Sequence, residues 1–183
     1  DHIQLNPDTA LLDVGCAAGT FLVHMHEQTG TRVAGVDFKS LPTFPGHHVI
    51  DFHHGLFYEQ NFESRHFDVV TMWHFLEHCY DPKRSLATAR DVMKDSGRLI
   101  VEVPRLDSAT WGLFRERWPG LQAPQHTTVF DKEHLCAMVR DAGFVVDRHL
   151  PYGAFPAYFY LFTGVAAKLT HGRGIDFRKL IPL

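Results

Sequence analysis

Short apolar runs alternate with longer amphipathic stretches along most of this chain, and the breaks between them fall at acids, glycines and prolines. The apolar runs predict strands at Leu11–Val14, Arg32–Val36, His48–Asp51, Phe67–Met72, Leu99–Val103 and Phe144–His149, several of them apolar enough to be buried on both faces. The intervening pattern is helical. A helix from Thr20 stops near Gly30, a residue suited to a C-terminal cap. Asp81-Pro82 opens a second as N-cap and first-turn proline, with Leu86, Ala89, Val92 and Met93 as its apolar stripe until Gly97. A third begins at Asp131, turns Leu135, Met138 and Val139 inward and ends at Gly143. Alternating strand and helix without repeats predicts an α/β fold: a doubly wound, mostly parallel sheet with helices on both faces.

The break after the first strand carries candidate chemistry. In LLDVGCAAGT, Leu11–Thr20, the small residues Gly15, Ala17, Ala18 and Gly19 keep side chains away from the backbone where a helix begins. That helix N-terminus offers free N–H groups to a ligand. A small-residue turn also serves simple close packing, so the second strand matters: Arg32–Phe38 ends in Asp37, placed to accept hydrogen bonds from ribose hydroxyls. The glycine spacing differs from the G-x-G-x-x-G of dinucleotide folds, which disfavours an NAD-dependent oxidoreductase.

The segment Asp13-Val14-Gly15-Cys16-Ala17-Ala18-Gly19 resembles motif I of the class I S-adenosylmethionine-dependent methyltransferases, E/D-x-G-x-G-x-G, with Ala17 at the middle glycine. FDVVTMWHFLEHCYDP (67–82), SGRLIVEVP (96–104) and QHTTVFDKEHLCAMVRDAGF (125–144) resemble, in order, the fourth strand, fifth strand and later helix of the type 11, 12 and 23 methyltransferase domains. The resemblance spans about residues 10 to 150. It implies a Rossmann-like fold binding S-adenosylmethionine, with S-adenosylhomocysteine as product. It assigns the methionine moiety to Asp13, Gly15, Cys16, Ala17 and Gly19, the ribose to Asp37 and the adenine ring to Phe38. Gly55 and Leu56 would meet the adenine edge, where family members often carry an acid, and Trp73 and His74 would lie beside the sulfonium. Family sheets hold a seventh strand and helices before motif I; no clear seventh strand is legible here, and those helices are expected to be missing or outside the sequence.

Composition adds limits. A chain of 183 residues with 45% apolar content is of single-domain size, expected as a core over 1–150 with an aromatic-rich extension over 151–183 packed on it. A net charge of −3 leaves no polybasic footprint, so a nucleic acid partner is not expected, and no run reaches the roughly 20 apolar residues of a membrane span. Three scattered cysteines, Cys16, Cys79 and Cys136, suggest reduced thiols and a cytoplasmic setting. In the extension, Phe155, Tyr158, Phe159 and Phe162 read as a helix that packs on the sheet, with a homodimer face, a substrate cover or a membrane contact as alternatives.

Fourteen histidines raise the question of metal. His74-Phe75-Leu76-Glu77-His78 fits H-x-x-E-H, yet that zinc chemistry needs both histidines on one long helix, and only about one turn fits between Trp73 and Asp81. No metal is therefore expected, and His47, His48, His53 and His54 read as a solvated strand edge. An oxygen or nitrogen acceptor needs a base. His126 is the first candidate and His74 and His78 follow, the alternative for His126 being a structural hydrogen bond. In the stretch Arg105–Gly120, Trp111, Phe114 and Trp118 with Arg105, Arg115 and Arg117 suit a ring-bearing, anionic acceptor, or equally an amphipathic lid whose aromatics are core. Methyl transfer to a small-molecule or glycan-type acceptor is the expected activity; a non-catalytic module of the same fold, serving cofactor binding or assembly, is the alternative.

Overall fold

The structure, a computed structural model, describes residues 3–122, 124–150, 153 and 157–169. Five parallel strands, β1 (Ala10–Val14), β2 (Arg32–Asp37), β3 (Ile50–His54), β4 (Phe67–Trp73) and β5 (Met93–Glu102), form one sheet in the order β3-β2-β1-β4-β5. Alternate residues of each strand feed opposite faces. Leu12, Val14, Val36, Val70 and Met72 join Leu86 and Ala89 of helix α2 (Pro82–Val92), with Leu135 and Met138 of a later helix beside them. Leu11, Val33 and Val69 join Leu22 and Val23 of helix α1 (Thr20–Thr29) on the other face. The sheet is thus covered on both sides, the condition for parallel strands with no polar face.

Helix ends follow local chemistry. Gly30 closes α1 in the left-handed conformation, and Asp81 accepts from Arg84 N to start α2. Ser108 caps helix α3 (Ala109–Phe114) and Asp131 caps helix α4 (Lys132–Asp141) in the same way.

Three expectations are corrected. Residues 47–49 form a 3₁₀ turn behind left-handed Gly46, so the third strand starts at Ile50 and takes in His53 and His54. Helix α2 ends at Val92, because Met93 is buried in the core and pairs with Phe67; the residues up to Gly97 bulge out before the ladder resumes at Val69 and Arg98. Phe144–His149 is no strand. Arg98 and Asp147 tie it to β5 by one ion pair at 2.9 Å, but it makes no ladder and Val145 is almost fully exposed. Helix α5 (Ala157–Leu169) is helical as expected; among the described residues it packs against α3 and the following turn, with Gly164 set directly against the Phe114 ring. Tyr158 and Phe162 are exposed; Phe155 and the side chain of Phe159 lie outside the described residues.

Candidate functional site

β1 and β4 are neighbours whose connections run to opposite halves of the sheet, so their carboxyl ends open the crevice where doubly wound sheets bind ligands. The floor of that crevice is the turn after β1. Gly15, Ala17 and Gly19 all take positive φ, at 77°, 49° and 72°. The backbone there is folded so tightly that the N–H groups of Gly15 and Cys16 both donate to Val36 O, at 2.8 and 3.2 Å. A Cβ on Gly15 would meet Phe75 Cδ2 at 2.9 Å. Ala17 is strained by its left-handed backbone, on the order of 1–2 kcal/mol, and this conformation aims its N–H at Asp37.

Asp37 is held from two sides: Ala17 N donates to Oδ2 at 2.9 Å and Lys39 N to Oδ1 at 2.8 Å. Each oxygen keeps a lone pair, so the carboxylate is fixed in place and still able to accept from a diol. Phe38 projects beside it, 67% exposed, with Lys39 Nζ 5.6 Å from its ring centroid. Gly55, at φ 128°, donates its N–H to Asp37 O at 2.9 Å, which brings Gly55 and Leu56 to the tip of β2. Asp13 is buried and accepts from Thr71 Oγ1 at 2.6 Å. Burial, reinforced by the neighbouring Asp37 charge, pushes its carboxyl up to about 7 despite that hydrogen bond. The same burial lifts the Cys16 thiol to about 12, so Cys16 offers its backbone and no nucleophile.

These features fit a nucleoside-sulfonium cofactor: a cradle that a side chain would fill, a fixed carboxylate for hydroxyls and a buried carboxyl that a cation would satisfy.

Past the end of β4 lies a histidine–glutamate cluster. Trp73 ends β4 with its indole edge-on to Phe21 at 5.9 Å and its Nε1 buried without a partner. His74 follows at φ 50°, its ring clamped between Glu77 (Nδ1–Oε1, 3.1 Å) and Glu102 (Nε2–Oε1, 3.0 Å). Burial of the ring works against its charged form, but the two carboxylates outweigh it and raise the His74 pKa. Residues 76–78 make one 3₁₀ turn, and Thr127 N and Thr128 N both donate to Glu77 O, stapling the later loop to it. His78 and His126 meet edge to face, with centroids 4.6 Å apart. His126 is buried, and desolvation lowers its pKa; its Nδ1–H donates to Gly120 O at 2.9 Å, the structural bond weighed against a base role.

The structure therefore brings the two groups of expected residues to one end of the sheet. It does not make a ring-and-anion pocket of the stretch after β5. Phe114 and Trp118 are core there, Trp118 Nε1 donates to Thr110 Oγ1 at 3.0 Å, Trp111 stacks edge-on to Trp118, and Arg115 and Arg117 face solvent. Arg105 is held by Asp107 and His149. Phe75 and Glu102 escaped the sequence reading. The strand alternation places Glu102 at the end of β5, but nothing local announces a partner on β4.

Comparison with known proteins accords with this geometry. A methyltransferase-domain family, type 23, matches residues 4–149. The ubiquinone biosynthesis O-methyltransferase of Aromatoleum aromaticum is 29% identical over 55% of this chain and 47% of its own. The YcgJ protein of Bacillus subtilis superposes with a TM-score of 0.65 at 17% identity, over 97% of this chain and 83% of that one. The 1,6-didemethyltoxoflavin-N1-methyltransferase of Burkholderia thailandensis, solved with S-adenosylhomocysteine, gives 0.58 at 22%, over 75% and 61%. The chain spans about half the length of the curated relatives it matches. No helix among the described residues is long and apolar enough to cross a membrane. With a family match over most of its length and this fold beneath it, the chain belongs to the class I S-adenosylmethionine-dependent methyltransferases, in their type 23 methyltransferase-domain branch.

Proposed function

We propose that this chain binds S-adenosylmethionine across the carboxyl ends of β1, β2 and β4 and methylates an oxygen or nitrogen of a small-molecule acceptor. The observation that carries the reading is Asp37, pinned by two backbone N–H groups with both oxygens still able to accept. When bound, the cofactor would supply an activated methyl, carried on a sulfonium sulfur, to the lone pair of the acceptor. Asp37 holds the ribose hydroxyls, and Phe38, Gly55 and Leu56 enclose the adenine. Asp13 faces the methionine ammonium, and the backbone of Gly15, Cys16, Ala17 and Gly19 lets that moiety lie close. Trp73 and His74 flank the reacting methyl.

Proton removal falls to His126 and His78. Each donates its Nδ1–H to a backbone carbonyl, Gly120 O and Gln125 O, which leaves a lone pair on Nε2. His74 has both ring nitrogens engaged by carboxylates, Glu77 and Glu102, and serves to position Glu77. Two candidate bases favour an oxygen or nitrogen acceptor over carbon, which often needs no base.

Titration calorimetry with S-adenosylhomocysteine tests the reading. Asp37→Ala removes hydrogen bonds to a charged group worth about 1.5–3 kcal/mol, roughly a 10- to 150-fold loss of affinity. No binding by the native chain, equal binding by the variant, or tighter binding of NADH would overturn it.

A further inference from the structure

The H-x-x-E-H segment does not form the helix that its zinc-protease reading needs, and His74 turns away to Glu102. Its last two residues are nevertheless joined by a third from a distant loop. Glu77, His78 and His126 each present a ligand atom, all within 4.8 Å of one another.

Three observations show a prepared donor set. Glu77 is 1% exposed, and its Oε2 has no hydrogen-bond partner although Oε1 is held by His74. A buried, unpartnered carboxylate oxygen is costly unless something cationic completes it. His78 and His126 both spend Nδ1–H on backbone carbonyls, which fixes the tautomer that exposes the Nε2 lone pair. Every one of the three donors therefore has its outer partner in place, the arrangement that orients metal ligands. His78 is exposed, so the cluster is open to solvent on one side.

We propose that Glu77, His78 and His126 form a binding site for a first-row divalent cation of the zinc class. Two imidazoles and one carboxylate suit such an ion and disfavour magnesium, which takes oxygen ligands. Tetrahedral ligation at 2.0–2.1 Å sets ligand atoms about 3.3 Å apart, so closure takes a movement of at most about 1.5 Å from the spacing seen. Three protein donors leave a fourth position open. With the cation bound, the Nε2 lone pairs of His78 and His126 are spent as ligands and the cation takes over from the two histidines: an acceptor hydroxyl on the open position would be acidified by it and lose its proton to solvent on the exposed His78 side, a role that rests on the methyl-transfer reading above; the cation site does not.

The test uses the native chain stripped with a chelator and titrated with Co²⁺ alone, followed by visible absorption and then displacement by Zn²⁺. One equivalent should bind with a tetrahedral spectrum. His78→Ala, at an exposed position, should weaken binding at least tenfold, as should Glu77→Gln and His126→Ala; His134→Ala, on α4, should leave it unchanged. Native chain that takes up no stoichiometric Co²⁺, or His78→Ala with native affinity, would overturn the site. S-adenosylhomocysteine calorimetry on the stripped chain reads the cofactor site separately, so a chain that binds Co²⁺ but no S-adenosylhomocysteine sinks the methyltransferase reading alone.

Discussion

Asp13→Asn should stabilise the ligand-free protein in alkali while weakening its hold on cofactor. The Asp13 carboxyl is 4% exposed, and burial raises it from 3.8 to about 7. At about 1.4 kcal/mol per pH unit, the fold disfavours the ionised form by about 4 kcal/mol. Because the folded value lies above the unfolded one, the stability linked to the proton is fully present below 3.8 and is lost as pH rises through about 7. Asparagine keeps the shape and the Thr71 hydrogen bond but carries no charge. The stability gap in favour of the variant should therefore widen by roughly 2–3 kcal/mol between pH 5 and pH 8, several degrees in Tm for a chain of this size. Thermal melts of both proteins across that range measure it, and subtracting one curve from the other removes the histidines that titrate in both. The cofactor ammonium should favour ionised Asp13. Binding of S-adenosylhomocysteine near pH 6.5 should then release a proton, seen as calorimetric heats that depend on the buffer, and the variant should release less and bind more weakly. A gap that stays constant with pH, or a variant with undiminished affinity, would refute the placement of a strained carboxyl at this site.

Gly15→Val should abolish S-adenosylhomocysteine binding, because its φ of 77° disfavours a branched residue and a Cβ already meets Phe75 at 2.9 Å; native calorimetry from the variant would show that the turn is not the cradle. His126→Ala should lower turnover by about 10²–10⁴ with S-adenosylhomocysteine affinity nearly unchanged. It is best measured on the first acceptor found by screening phenols, sugars and amines for released S-adenosylhomocysteine. Turnover equal to that of the native chain would remove His126 from the chemistry and leave His78.

The turn after β1 and the acid it meets were legible in the sequence because their determinants are local. A strand, a small-residue turn and a helix start lie within Leu11–Thr20, and the acid they meet closes the next strand in the chain. Short-range sterics and hydrogen bonding decide such units, so their residues can be read in order. The histidine–glutamate cluster was legible only as candidates. His74, His78 and His126 could be named, but their roles depend on Glu102 from β5 and on carbonyls of Gly120 and Gln125, partners set by how β4, β5 and the loop before α4 pack. The sequence also misplaced what depends on competition between neighbours. Met93 continues the apolar stripe of α2 but gains more from pairing with Phe67 in the core, and Phe144–His149 has strand composition but forms no ladder with the sheet. The sequence by itself thus determined the alternating elements and the cradle, where each residue's partner lies within a unit or two along the chain. Only the tertiary structure decided which histidine lies between two carboxylates, which ring nitrogens meet backbone carbonyls and which carboxylate oxygen is left unpaired, because those properties belong to distances across the sheet.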